Sequence, residues 1–149
     1  MGILAARQGT MPPRTPTLPS MSIDTTDLLA ANAAFYDAFE QRSAPAMDAV
    51  WSSDDLVSCT HPGWATLHGA EAVQRSWRSI LGGPQHLQFI VSDVRAHVSG
   101  DVGWVTCVEN LLADDGPHGS AAALNLFRRS RHGVWRMVAH HASPVMQRP

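Results

Sequence analysis

Several polar side chains in this sequence fall inside apolar runs, where a side chain needs a partner or a ligand. Residues 133–144 read Gly-Val-Trp-Arg-Met-Val-Ala-His-His-Ala-Ser-Pro. A Gly opens the run, a Pro closes it and apolar residues alternate along it, so it reads as a strand. Period-2 geometry puts Trp135, Met137, Ala139 and His141 on one face, and Val134, Arg136, Val138 and His140 on the other. The Trp-Met-Ala face is the core face. His141 is therefore expected to point inward, and His140 outward with Arg136. An inward imidazole either bonds a backbone carbonyl as a core histidine or meets a ligand.

His61 ends a second apolar run, and Pro62-Gly63 breaks the chain after it. A histidine there can take and return a proton near neutral pH. The alternative is a turn cap bonded to the backbone. Glu109 shares a strand face with Val105 and Cys107. It reads as a second acid/base group with a burial-raised pKa, or more simply as a solvated or interface carboxylate paired with Arg. Asn125 shares a face with Ala123 and Phe127, consistent with an inward position. His140 and His141 do not make a two-ligand metal site, because adjacent strand residues face opposite ways. A metal could draw on His61, His68, Glu109 or His141, but the sequence has no Cys/His spacing of a known metal module. Neither metal nor cofactor is expected.

The elements that must position these residues follow from the rest of the sequence. Its 149 residues suit one domain with one core. With 44% hydrophobic and 16% charged residues it belongs with folded globular chains. A net charge of −2 and no basic patch exclude nucleic acid as the expected partner. No apolar run is long enough to span a membrane. Cys59 and Cys107 both lie in apolar runs and read as buried free thiols, which suits a reducing compartment and a cytoplasmic location. Residues 1–22, with Pro12, Pro13, Pro16 and Pro19, read as a disordered leader. Met21 would also open a well-formed domain.

Residues 24–42 read as a helix with Leu28, Leu29, Asn32, Phe35, Tyr36 and Phe39 on one face. Ser43 and Pro45 start a second, short helix carrying Met47, Val50 and Trp51 inward. Short strands are expected at 56–61 and 64–67, and a third helix at 70–81 with Val73, Trp77 and Ile80 inward. Long strands are expected at 87–98, 102–112, 120–129 and 134–144, with a loop at 113–117. Three helices among two short strands, then four long strands joined as hairpins, is an α+β pattern.

The order and several motifs resemble the nuclear-transport-factor-2-like superfamily, and most closely its SnoaL-like group. The motifs are Phe35-Tyr36-x-Ala38-Phe39, Trp51, Cys59-Thr60-His61-Pro62-Gly63-Trp64, Gly69, Ser76-Trp77, Trp104-Val105, Asn125-x-Phe127, Gly133-Val134-Trp135-Arg136 and His140-His141-Ala142-Ser143-Pro144. The resemblance covers residues 24–144. It implies a cone-shaped, cystatin-like fold with three helices on a strongly curved, mostly antiparallel mixed sheet, here over residues 23–146 with a tail at 147–149. It also implies an apolar cavity on the concave face and a homodimer through the convex one. Ketosteroid isomerases share this fold and keep a general-base aspartate, followed by Pro, where His61 falls. Asn125 falls near their neutral carboxylic acid, where an amide can donate to a developing enolate. Their first-helix tyrosine is matched by Phe35. Tyr36, one residue on and about 100° around the helix, is expected to face elsewhere.

The expected catalytic set is His61, Asn125 and His141, and Phe35, Trp64, Trp77 and Phe127 are expected to bind the ligand. The reading that results is a domain that binds a small apolar molecule. Its catalytic form does acid/base chemistry of isomerase, cyclase or dehydratase type with His61 as base. The alternatives are a non-catalytic binding or dimerisation module, and an assembly domain with a filled cone.

Overall fold

The computed structural model describes residues 23–146; the proposed leader and tail lie outside them. Helix α1 spans Ile23–Glu40. Its buried residues Leu28, Asn32, Phe35, Tyr36 and Phe39 recur at helical spacing and face the sheet, whereas Leu29 is exposed. Helix α2, Ala44–Val50, is capped by Ser43, whose hydroxyl accepts the Ala46 N–H at 3.2 Å. Pro45 occupies the first turn, where its missing N–H has no helical partner to lose. Strands β1 (Ser58–Thr60) and β2 (Leu67–His68) are short. Helix α3, Ala70–Leu81, has the expected bounds and buries Val73, Ser76, Trp77 and Leu81.

The four long strands are β3 (Leu87–Ser99), β4 (Val102–Ala113), β5 (Gly116–Arg129) and β6 (Trp135–Pro144). Strand β5 begins earlier than expected, so the loop at 113–117 shrinks to a tight turn. The six strands form one sheet in the order β2-β1-β6-β5-β4-β3. All neighbours are antiparallel except β1 and β6, which pair in parallel. This is the α+β arrangement expected from the sequence.

Three irregularities interrupt the ladders. Asp93 and Val94 intervene before the β3 register resumes, with Asp93 at a φ of 50°. His118 and Gly119 do the same in β5, with Gly119 at a φ of 96° that favours glycine. In β6, Met137 pairs with Phe127 and Ala139 with Leu126, which leaves Val138 as an extra residue. This bulge falls where β6 changes its other neighbour from Trp51 to β1. The core lies between the helices and one sheet face, centred on Phe35, Met47, Val105, Phe127 and Met137. No helix among the described residues is long and apolar enough to cross a membrane.

Candidate functional site

The β6 bulge decides which histidine enters the core. An extra residue reverses the facing of everything after it. His140 is therefore buried and faces inward, and His141 is exposed on the other side. The expected facing of this pair is overturned: period-2 counting fails at Val138, and His141 does not reach the concave side.

A cavity of about 420 Å³ opens between the helices and the concave sheet face. Its walls are largely apolar, with Phe35, Phe39, Trp77, Leu87, Phe89 and Leu111 contributing rings and chains. Four titratable groups line it: His61, Glu109, His140 and His118, the last 2.5 Å from the Asp115 carboxylate. Pro62, Trp64 and Val145 line it too, and Trp64 is 50% exposed. Of the expected ligand contacts, Phe35, Trp64 and Trp77 line the cavity; Phe127 is buried in the core and does not. Asn125 is fully buried behind the wall rather than in it.

His61 follows β1 and lies edge-on to Trp77 and Trp64, with ring centroids 4.6 and 4.8 Å away. Its Nε2 is 2.9 Å from Ser76 Oγ. The Ser76 hydroxyl gives its one proton to the Val73 carbonyl at 2.8 Å. His61 Nε2 must then carry a hydrogen and donate it, and Nδ1 keeps a lone pair whose nearest protein partner is the Cys59 thiol, with Sγ 3.9 Å away. Burial lowers the His61 pKa to about 4, so the ring is neutral at pH 7.

Glu109 corrects the simpler reading of that residue. It is 2% exposed and accepts the Tyr36 hydroxyl at 2.8 Å. Burial raises its pKa to about 7, against the lowering effect of that hydrogen bond. Tyr36 is also corrected. It faces β4, because the buried arc of α1 is wide enough to hold both Phe35 and Tyr36. Its hydroxyl lies 3.2 Å from Cys107 Sγ and 3.0 Å from Asn125 Nδ2. Burial first, then the Glu109 and Cys107 charges, raises its pKa. Asn125 Nδ2 also donates to Asn32 Oδ1 at 2.8 Å, and Asn125 Oδ1 lies 2.6 Å from His140 Nδ1. Both Asn125 amide hydrogens are thus spent, so this side chain has none left for a developing enolate.

His140 Nε2 is 3.9 Å from Glu109 Oε1. Burial, then the His61 and His141 charges, lowers the His140 pKa to about 3. With Glu109 raised and His140 lowered, both groups tend to the neutral form, and 3.9 Å is too long for a hydrogen bond. The Trp77 indole N–H, in a residue of the cavity wall, has no hydrogen-bond partner among the described residues. Both cysteines are free and buried, and burial pushes the Cys59 thiol up to about 12. No cluster of three or more His, Cys, Asp or Glu that could hold a metal ion occurs among the described residues. Sequence reasoning missed His140, Tyr36 and Asn32 as members of this network. Asn32 on an otherwise apolar helix face was the signal that could have found it.

Residues 28–147 match the SnoaL-like domain family, and the chain belongs to it. It is 30% identical over 122 residues to the F-box protein SKIP8 of Arabidopsis thaliana, a match covering 82% of this chain and 51% of that one. The chain thus spans about half the length of that relative. Among solved structures it is similar to a proposed dehydratase of the nuclear-transport-factor-2-like family from Streptomyces avermitilis. That match has 38% identity, covers 83% of this chain and 97% of that one, and has a TM-score of 0.73. It is also similar to a proposed calcium/calmodulin-dependent protein kinase type II association domain from Thiobacillus denitrificans. There the identity is 41%, the coverage 79% and 94%, and the TM-score 0.74.

Proposed function

We propose that this SnoaL-like protein holds a small, largely apolar molecule in its cavity and performs acid/base chemistry on it, of isomerase, cyclase or dehydratase type. The supporting observation is that His61, Glu109 and His140 line one largely apolar cavity of about 420 Å³. Water-poor surroundings strengthen what such groups do to a bound molecule. His61 is the base: it is neutral at pH 7, and Nδ1, with only the weak thiol contact of Cys59, is the atom that accepts a proton. Glu109, with its pKa near neutrality, supplies or receives the matching proton at the inner wall. The proposed activity of the S. avermitilis relative agrees with this reading.

The similarity to the T. denitrificans association domain favours a second reading, a module for assembly in which the cavity only carries a ligand. The experiment is native mass spectrometry of protein purified without added ligand, followed by calorimetric titration with 2-naphthol, a flat apolar probe with one hydroxyl. An extra small mass, or saturable 2-naphthol binding, is expected and should disappear in Ala121→Leu, because Ala121 lines the cavity and a longer side chain there narrows it. Bare protein that also fails to bind the probe would overturn the ligand-binding reading. Retained binding with no turnover change in His61→Ala, once a substrate is found, would favour the second.

A further inference from the structure

The polar residues behind the inner wall form one connected chain, so their proton positions depend on one another. A phenol has a single proton, and Tyr36 gives it to Glu109. Its oxygen must then accept from the Asn125 N–H. That orientation turns the Asn125 amide oxygen toward His140 Nδ1. An amide oxygen only accepts, so His140 carries its hydrogen on Nδ1. Its Nε2 is left bare and lies toward Glu109 Oε1. The opposite polarity would require the amides of Asn125 and Asn32 both to be turned over. It would also require Glu109 to donate to Tyr36.

We infer that Asn125, which does not touch the cavity, is a positioning residue. It fixes His140 as the Nδ1–H form and presents bare Nε2 to the cavity as an acceptor, so that the inner wall selects a molecule bearing a hydroxyl donor. The selection clause rests on the cavity being a ligand site; the tautomer does not. Tyr36 and Asn125 have already spent their hydrogens inside the protein. The Tyr36–Asn125 pair is therefore not available to grip a bare ketone oxygen.

The first arm of the test needs no ligand. Protein with 15N-labelled histidine is studied by long-range 1H–15N correlation at about pH 8, with the His140 signals identified by their loss in His140→Gln. A protonated Nδ1 and a bare Nε2 are expected. Asn125→Asp keeps the side-chain shape but places a carboxylate against Nδ1, and is expected to put a second proton on the ring. A hydrogen on Nε2 in the unmodified protein overturns the inference, whether or not either variant folds. So does an Asn125→Asp protein whose His140 signals are unchanged.

The second arm compares 2-naphthol with 2-fluoronaphthalene, which has nearly the same shape and no donor. About tenfold tighter binding of the naphthol is expected, the worth of one hydrogen bond to an otherwise unpaired buried group. Equal affinities overturn the selection. Failure of both probes to bind, with the Nδ1–H form present, overturns the selection together with the proposed function and leaves the tautomer standing.

Discussion

Glu109 is a carboxyl group held against the Tyr36 hydroxyl with almost no access to water, and that position has a thermodynamic signature. Its pKa rises from 4.5 to about 7 on folding. The folded chain then binds this proton more tightly than the unfolded chain. Between those two values Glu109 lowers stability as pH rises. His61 and His140 act the other way. Their folded pKa values, about 4 and about 3, lie below the unfolded 6.5, so each raises stability as pH climbs through that window. Glu109→Gln keeps an acceptor for Tyr36 and removes only the titration. Relative to the unmodified protein, the variant is expected to gain about 3 kcal/mol between pH 4.5 and pH 8, from a shift of about 2.5 units. Urea unfolding at the two pH values measures it. A difference between the two proteins that is the same at both pH values would mean that Glu109 titrates normally. The sequence made Glu109 visible as an oddity among Val and Cys, but not its partner. The angle from Phe35 alone sends Tyr36 elsewhere, but a helix face of about 100° or more has room for both.

Individual elements were more legible than the site they carry. The Ser43 cap with Pro45 behind it, and the apolar spacing in residues 70–81, are local signals, and α2 and α3 follow them. Strand β6 is equally legible as a strand, yet period-2 counting gives the wrong facing after Val138. The bulge at Val138 is set by the partners of β6, Trp51 and β1 on one side and β5 on the other, and no residue within the strand announces it. The same holds for Gly103 in β4, which as a sequence feature looks like a strand defect. In the fold Leu28 of α1 packs directly against it. A Cβ there would lie 2.8 Å from Leu28 Cδ2 and 3.2 Å from Trp135 Cη2. Gly103→Ala is therefore expected to cost about 1 kcal/mol, at the low end for overpacking, because the tip of Leu28 can turn aside. A urea midpoint unchanged by this substitution would mean that α1 does not press on the sheet at this point.

At the scale of the whole molecule, the sheet has one face covered by helices and one that is not. The uncovered face of the long strands carries Ile90, Trp104, Val108, Leu124 and Leu126, and Ile90 and Leu124 are 51% and 43% exposed. Long strands with an apolar outer face normally bury it against something. A second copy of the chain is the partner we propose, since this face is the one the family resemblance assigns to dimers. Light scattering on a sizing column is expected to give twice the chain mass of 16.1 kDa. Leu124→Arg places a charge on this face and is expected to shift the protein to single chains. Leu124 points away from the cavity, opposite to its neighbours Ala123 and Asn125, so 2-naphthol binding should survive the same substitution. Monomeric unmodified protein at micromolar concentration would remove the dimer. Loss of naphthol binding in a monomeric Leu124→Arg protein would instead show that the two faces are coupled, with the dimer holding the sheet in the shape the cavity needs.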